Sequence, residues 1–185
     1  MTWIIGEDPG TGEKFDILHQ EKDMSCMVAC TGMVIYYCTG KKIDESTLRN
    51  WFKKAEGADY LRSHGIVNYK DISSGVRSFD SFGVIGASQI VTVLSEKAKL
   101  KYSAFTNNAY FRNKILTANR KKPVVLVVDY DPPTNSRHAI VAIKNHNNQV
   151  VILDPAEDDP LRTDTATLPR YDADLPGDIY SVIIK

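Results

Sequence analysis

The reading of the fold turns on Gln20-Glu-Lys-Asp-Met-Ser25-Cys26-Met-Val-Ala-Cys30-Thr-Gly-Met-Val-Ile-Tyr-Tyr-Cys38-Thr-Gly40. From Cys26 to Cys38 the run is apolar on nearly every face, which is the pattern of a buried helix. Ser25 stands where an N-cap is expected, and Gly40 where a helix commonly ends in the left-handed conformation. Gly32 is the one discordant residue, since a mid-helix glycine costs about 1 kcal/mol relative to alanine. Cys26 falls in the first turn, where free backbone N–H groups and the positive end of the helix dipole favour a thiolate over a thiol. Cys30 and Cys38 lie deeper in the helix, beyond that field, and read as core residues.

Working outward, Asp44 opens a second helix through Ser46, Leu48, Trp51 and Phe52. Residues 57–86 hold five glycines and read as irregular loop, with glycine freedom that suits a movable cleft wall. Ala87–Lys97 and Asn108–Asn119 read as helices, and Lys101–Phe105 as a short strand. After Pro123 the period changes. Val124–Val128, His138–Lys144 and Gln149–Leu153 are β-branched runs, the last two joined by Asn145-His-Asn-Asn148 as a hairpin. Ile179–Ile184 supplies a final strand. Helices followed by an antiparallel sheet make an α+β layout.

The chain has 185 residues, which suits a single domain over 1–185. Its 23 basic and 23 acidic residues cancel, which argues against a whole-surface binder of nucleic acid or acidic membrane and leaves a local patch open. Three cysteines clustered between positions 26 and 38 are no disulfide framework. Cys26 and Cys30 lack the further ligands of a metal site, and no cofactor motif is present. No Sec-type signal and no apolar run of membrane-span length is visible, so a cytoplasmic location is expected, with export by a specialised machine as the alternative. Nothing in the sequence bears on oligomeric state.

Four residues in order, Gln20, Cys26, His138 and Asp154, form the candidate site. His138 and Asp154 occupy the two arms of the expected hairpin. A register centred on His146 sets them opposite one another, with Ile140 facing Ile152 and Ala142 facing Val150. Directly opposite Cβ atoms lie about 4.5–5.5 Å apart, close enough for a carboxylate to orient an imidazole. Gln20 stands six residues ahead of Cys26, where its amide can donate to an oxyanion alongside the Cys26 N–H. Each residue has a plainer reading: cysteine as packing, histidine as a solvated strand end, Asp-Pro as a turn, glutamine as a polar loop residue. His19, His64 and His146 read as surface histidines. Glu157-Asp158-Asp159 reads as a solvated loop or, with a functional role, as a contact for a basic substrate.

The segment from Gln20 through Cys26 to Tyr37 resembles the glutamine-to-cysteine segment of papain-like cysteine peptidases. It is most similar to the bacterial C39-like branch, which includes the leader-peptide peptidase domains of bacteriocin exporters. Lys122-Pro-Val-Val-Leu-Val-Val, Arg137-His138-Ala-Ile-Val-Ala-Ile and Val151-Ile-Leu-Asp154-Pro155 resemble that family's strand, histidine strand and Asp-Pro strand. The resemblance implies a papain-like fold, with Gln20 as oxyanion donor, Cys26 as nucleophile, His138 as base and Asp154 as orienter. It covers residues 17–55 and 110–156 and leaves 57–100 unmatched. Met27 departs from the family, many of whose members carry glycine or tryptophan at or near that position. The implied activity is hydrolysis of a peptide bond in a peptide or protein substrate, by a processing peptidase or a delivered effector. An amidase, deamidase or acyltransferase using the same groups, or a binding protein on the same fold, are the alternatives.

Overall fold

The computed structural model describes residues 3–21, 25–48, 102–105, 117–131, 136–147, 149–164 and 181–184. The chain begins with a hairpin of β1 (Trp3–Glu7) and β2 (Lys14–Leu18), followed by helix α1 (Cys26–Thr39). Six further strands follow: β3 (Tyr102–Phe105), β4 (Val124–Asp131), β5 (Ser136–His146), β6 (Gln149–Leu153), β7 (Leu161–Asp164) and β8 (Ser181–Ile184). They form one sheet in the order β3-β8-β4-β5-β6-β7, antiparallel at every pairing. The protein is α+β, a buried helix against an antiparallel sheet.

Helix α1 follows the expected bounds. Residues Cys26 to Ile35 are all buried, as an all-round apolar run requires. The Ala29 N–H bonds back to the Ser25 carbonyl at 3.0 Å. Ser25 occupies the N-cap position, yet its side chain makes no capping hydrogen bond, contrary to the expectation for a serine there. Gly40 closes the helix at φ 75°, donating its N–H to the Tyr36 carbonyl at 2.7 Å. Gly32 is explained by packing: a Cβ there would lie 2.6 Å from Leu18 Cδ2 and 2.7 Å from Leu48 Cδ1, both on fully buried leucines.

On the sheet, Val125, Ala139, Val141, Ile143, Val151 and Leu153 share one core with α1 and with Phe15, Ile17 and Leu18 of β2. The intervening Val124, Leu126, Ile140, Ala142, Val150 and Ile152 are buried as well. A sheet covered on both faces explains why these strands read as continuous apolar runs and not as alternating ones.

The structure adds two elements and shifts one register. The β1–β2 hairpin precedes α1, where Lys14-Phe-Asp-Ile17 alternates with period two and places Phe15 and Ile17 inward. Strand β7, just beyond the acidic run Glu157–Asp159, is a further strand that no β-branched run marks. The β5–β6 register also differs. Ala142 pairs with Ile152 and Val141 with Leu153, and after an irregularity between Ala142 and Lys144 the pairs are Asn145–Val150 and His146–Gln149. The cause lies in the turn. Asn147 adopts φ 51°, so the connection between the paired His146 and Gln149 is two residues long instead of four.

The helix opened by Asp44 is described over residues 45–48, with the Thr47 and Leu48 N–H groups bonded to the Asp44 carbonyl. Of the helix expected over Asn108–Asn119, residues 117–119 are described. They form a turn into the Asn119–Lys122 bridge instead. The expected loop over 57–86 and helix Ala87–Lys97 lie outside the described residues.

The hairpin is fastened to β7 by an ion pair between a buried aspartate and a partly exposed arginine. Asp8, with no exposed surface, receives Arg162 Nε at 2.5 Å on Oδ1 and Nη2 at 2.6 Å on Oδ2. The Arg162 guanidinium, with Thr11 and the Gly10 amide, outweighs burial and holds this carboxyl well below the usual carboxylate range.

Candidate active site

Three elements converge on the site. α1 supplies Cys26 from its first residue, β5 supplies His138, and the turn directly after β6 supplies Asp154. His138 pairs with Val128 of β4, close to a register irregularity between Asp129 and Asp131. Cys26 keeps 7% of its surface and His138 8%, whereas Asp154 and Cys30 keep none. The nucleophile candidate and the imidazole thus retain a narrow opening while the carboxylate behind them is sealed.

His138 Nε2 lies 2.6 Å from Asp154 Oδ1. The carboxylate accepts, so Nε2 carries the proton and Nδ1 is the ring nitrogen that remains to serve the Cys26 side chain. Burial alone lowers an imidazole pKa. Here the bonds to Asp154 and Cys26 outweigh it and push His138 up from 6.5 to about 9. The imidazolium is therefore the favoured form at neutral pH. Cys30, four residues along α1, has its thiol raised well above the ordinary range by burial, reinforced by the Cys26 and Asp154 charges. Cys38 is half-buried, and burial raises its thiol also. All three cysteines are free thiols.

The contact between His138 and Asp154 does not arise in the expected manner. With Ala142 paired to Ile152 and Val141 to Leu153, the two residues are not directly opposite. Asp154 instead bends out of the strand, where its Oδ1 also accepts the Ala156 N–H at 2.9 Å and its carbonyl accepts the Glu157 N–H at 3.1 Å. This Asx-type turn fixes the carboxylate, and Pro155 stiffens it.

The same turn holds the segment bearing Gln20. The Gln20 N–H donates to the Pro155 carbonyl at 2.9 Å, and its side-chain Oε1 is buried. His19 is half-buried and not the exposed residue expected. Its Nε2 donates to the Glu157 carbonyl at 2.9 Å and lies 3.2 Å from Asp158 Oδ1. Of the acidic run, Asp158 and Asp159 are exposed, and Asp159 Oδ1 accepts the Glu7 N–H at 3.0 Å. His64 lies outside the described residues. Glu45, which no motif marks, is a fully buried carboxylate whose Oε2 accepts the Glu21 N–H at 2.6 Å.

No family model matches the sequence, and no curated protein matches it. Solved structures do match. The peptidase domain of Streptococcus ComA, a bi-functional ABC transporter involved in quorum sensing, superposes with a TM-score of 0.56 at 15% identity, covering 91% of this chain and 96% of that domain. A putative C39-like peptidase from Bacillus anthracis superposes with a TM-score of 0.52 at 13% identity, covering 88% of this chain and 90% of that one. The chain has the papain-like fold of C39 peptidase domains. Among the described residues no helix is long and apolar enough to cross a membrane.

Proposed function

We propose that this chain, which carries the fold of C39 peptidase domains, is a cysteine peptidase whose nucleophile is Cys26, with His138 as acid–base and Asp154 as its orienter. The observation that carries the reading is the 2.6 Å contact of His138 Nε2 with Asp154, on a nearly buried imidazole that Cys26, at a helix N-terminus, also pushes toward its charged form.

The chemistry follows from these positions. His138 takes the Cys26 proton, giving a thiolate–imidazolium pair that Asp154 and the N-terminal end of α1 favour. The thiolate attacks a substrate carbonyl carbon, forming a C–S bond. The oxygen gains the electron pair, and the Cys26 amide and Gln20 side chain donate to it. As the tetrahedral carbon collapses, the C–N bond breaks and His138 delivers its proton to the departing amine. Water then attacks the thioester with His138 as base, releasing the acid and restoring the thiol. The substrate is a peptide or protein.

Digestion of a proteome-derived peptide library, read by mass spectrometry, tests this. New peptide N-termini generated by the native chain and absent with Cys26→Ala support a peptidase. Glutamine residues heavier by about one mass unit, with no new termini, identify a deamidase working through the same acyl-enzyme. Neither product overturns both readings.

A further inference from the structure

Glu45 is buried with no exposed surface, 24 positions from its partner Glu21, in a part of the fold that the proposed chemistry does not use. A carboxylate is costly to bury unless its oxygens are well hydrogen-bonded, so its placement calls for a reason. Its Oε2 receives the Glu21 N–H at 2.6 Å, short for a bond to an amide and consistent with a charged acceptor. The preceding amide, that of Gln20, is bound to the Pro155 carbonyl at 2.9 Å. Two successive backbone N–H groups are thus anchored to different parts of the molecule: Gln20 to the turn that carries Asp154, and Glu21 to the helical turn over 45–48.

This clamp lies at the exit of β2, where the chain leaves regular structure before α1 begins at Cys26. A side-chain donor to an oxyanion acts only if it is held to within about 0.5 Å of the productive position. Gln20 has no strand or helix of its own to hold it. We propose that Glu45 is a positioning residue. By binding the Glu21 amide, it fixes the backbone from which the Gln20 side chain reaches the oxyanion. The inference rests on the Cys26 peptidase reading and extends it to a residue outside the Cys26–His138–Asp154 set.

The test separates acylation from thiol activation in the full chain. Acylation is read as the nitrophenolate burst with p-nitrophenyl acetate, and activation as the rate of Cys26 alkylation by iodoacetamide, a reaction that builds no oxyanion. Losing an oxyanion donor costs about 10²–10³ in rate. Gln20→Ala should therefore slow the burst about 100-fold, Glu45→Ala at least about 10-fold, and the double variant no more than Gln20→Ala alone. Alkylation should stay within about twofold of native throughout. Glu45→Gln keeps an acceptor oxygen and should retain most of the burst, which also covers the case of a poorly folding Glu45→Ala.

A full burst in Glu45→Ala, with Gln20→Ala slow, overturns the positioning role and leaves the peptidase reading standing. Equal slowing of burst and alkylation in Glu45→Ala, or additive effects in the double variant, overturns it as well. A full burst in Gln20→Ala removes the oxyanion assignment on which the clamp depends. Absence of a burst in the native chain removes Cys26 as an acylated nucleophile, and the proposal with it.

Discussion

Asp154 Oδ1 and His138 Nε2, 2.6 Å apart and 16 residues apart in the chain, meet although the strands carrying them do not place them opposite one another. The contact depends on Asp154 leaving the strand into an Asx-type turn closed by Ala156 and Glu157. The carboxylate is fully buried, so the geometry is held from behind and not by solvent.

Asp154→Asn keeps the shape of this side chain and removes its charge. Its Oδ1 can still accept Nε2–H, so the ring stays oriented, but the negative charge that helps hold His138 protonated is gone. A loss of about tenfold in acylation rate is expected, far short of that from removing the side chain with Asp154→Ala. Burst kinetics on the purified variant measure it, and urea unfolding should show a much smaller change.

The raised pKa of His138 sets a pH dependence with a definite sign. A group whose pKa rises from 6.5 to about 9 on folding stabilises the native state fully below about pH 6.5, and that contribution fades as pH climbs through about 9. Thermal unfolding of the native chain should lose ground to His138→Gln between those limits.

Gly32→Ala tests the close approach of three elements. Helix propensity gains about 1 kcal/mol from alanine. The added methyl would sit 2.6 Å from Leu18 and 2.7 Å from Leu48, whose burial leaves them little room to yield. Overpacking of this kind costs about 1–3 kcal/mol. A net loss of stability, seen as a lower urea midpoint with unchanged slope, is the expected result. A gain would show that both leucines yield.

The Asp8–Arg162 pair predicts a site-independent effect. Removing Asp8 leaves the Arg162 guanidinium without the carboxylate that both its Nε and Nη2 bind. Asp8→Ala should therefore unfold at lower urea, while Cys26 alkylation in the folded fraction stays native. Because Asp8 is held well below the usual carboxylate range, its contribution is present above about pH 4 and fades in stronger acid.

The sequence reveals α1 because its apolar run has clear ends: Cys26 starts it, and Gly40 takes the left-handed residue that terminates it. Strands β4, β5 and β6 are visible as β-branched runs, because burial of both sheet faces removes every polar residue from their centres. The hairpin register is hidden, since it turns on one positive φ at Asn147 in a polar stretch where several turn lengths look alike. Glu45 and the Asp8–Arg162 pair are hidden for another reason. Their partners are 24 and 154 positions away, and no local pattern announces a bond of that range. Gly32 looks like a weakness in a helix until Leu18 and Leu48 are seen against it.

The central claim is that Cys26 is an activated nucleophile, and competitive alkylation of the three thiols tests it most directly. Exposure alone favours Cys38, which is half-buried, over Cys26 at 7% and Cys30 at none. Brief treatment of the native chain with iodoacetamide at pH 7, followed by peptide mass spectrometry, should find Cys26 modified at least about tenfold faster than Cys38, a preference erased by His138→Gln, since only the thiolate reacts. Labelling that follows exposure, with Cys38 first and Cys26 no faster, would contradict it.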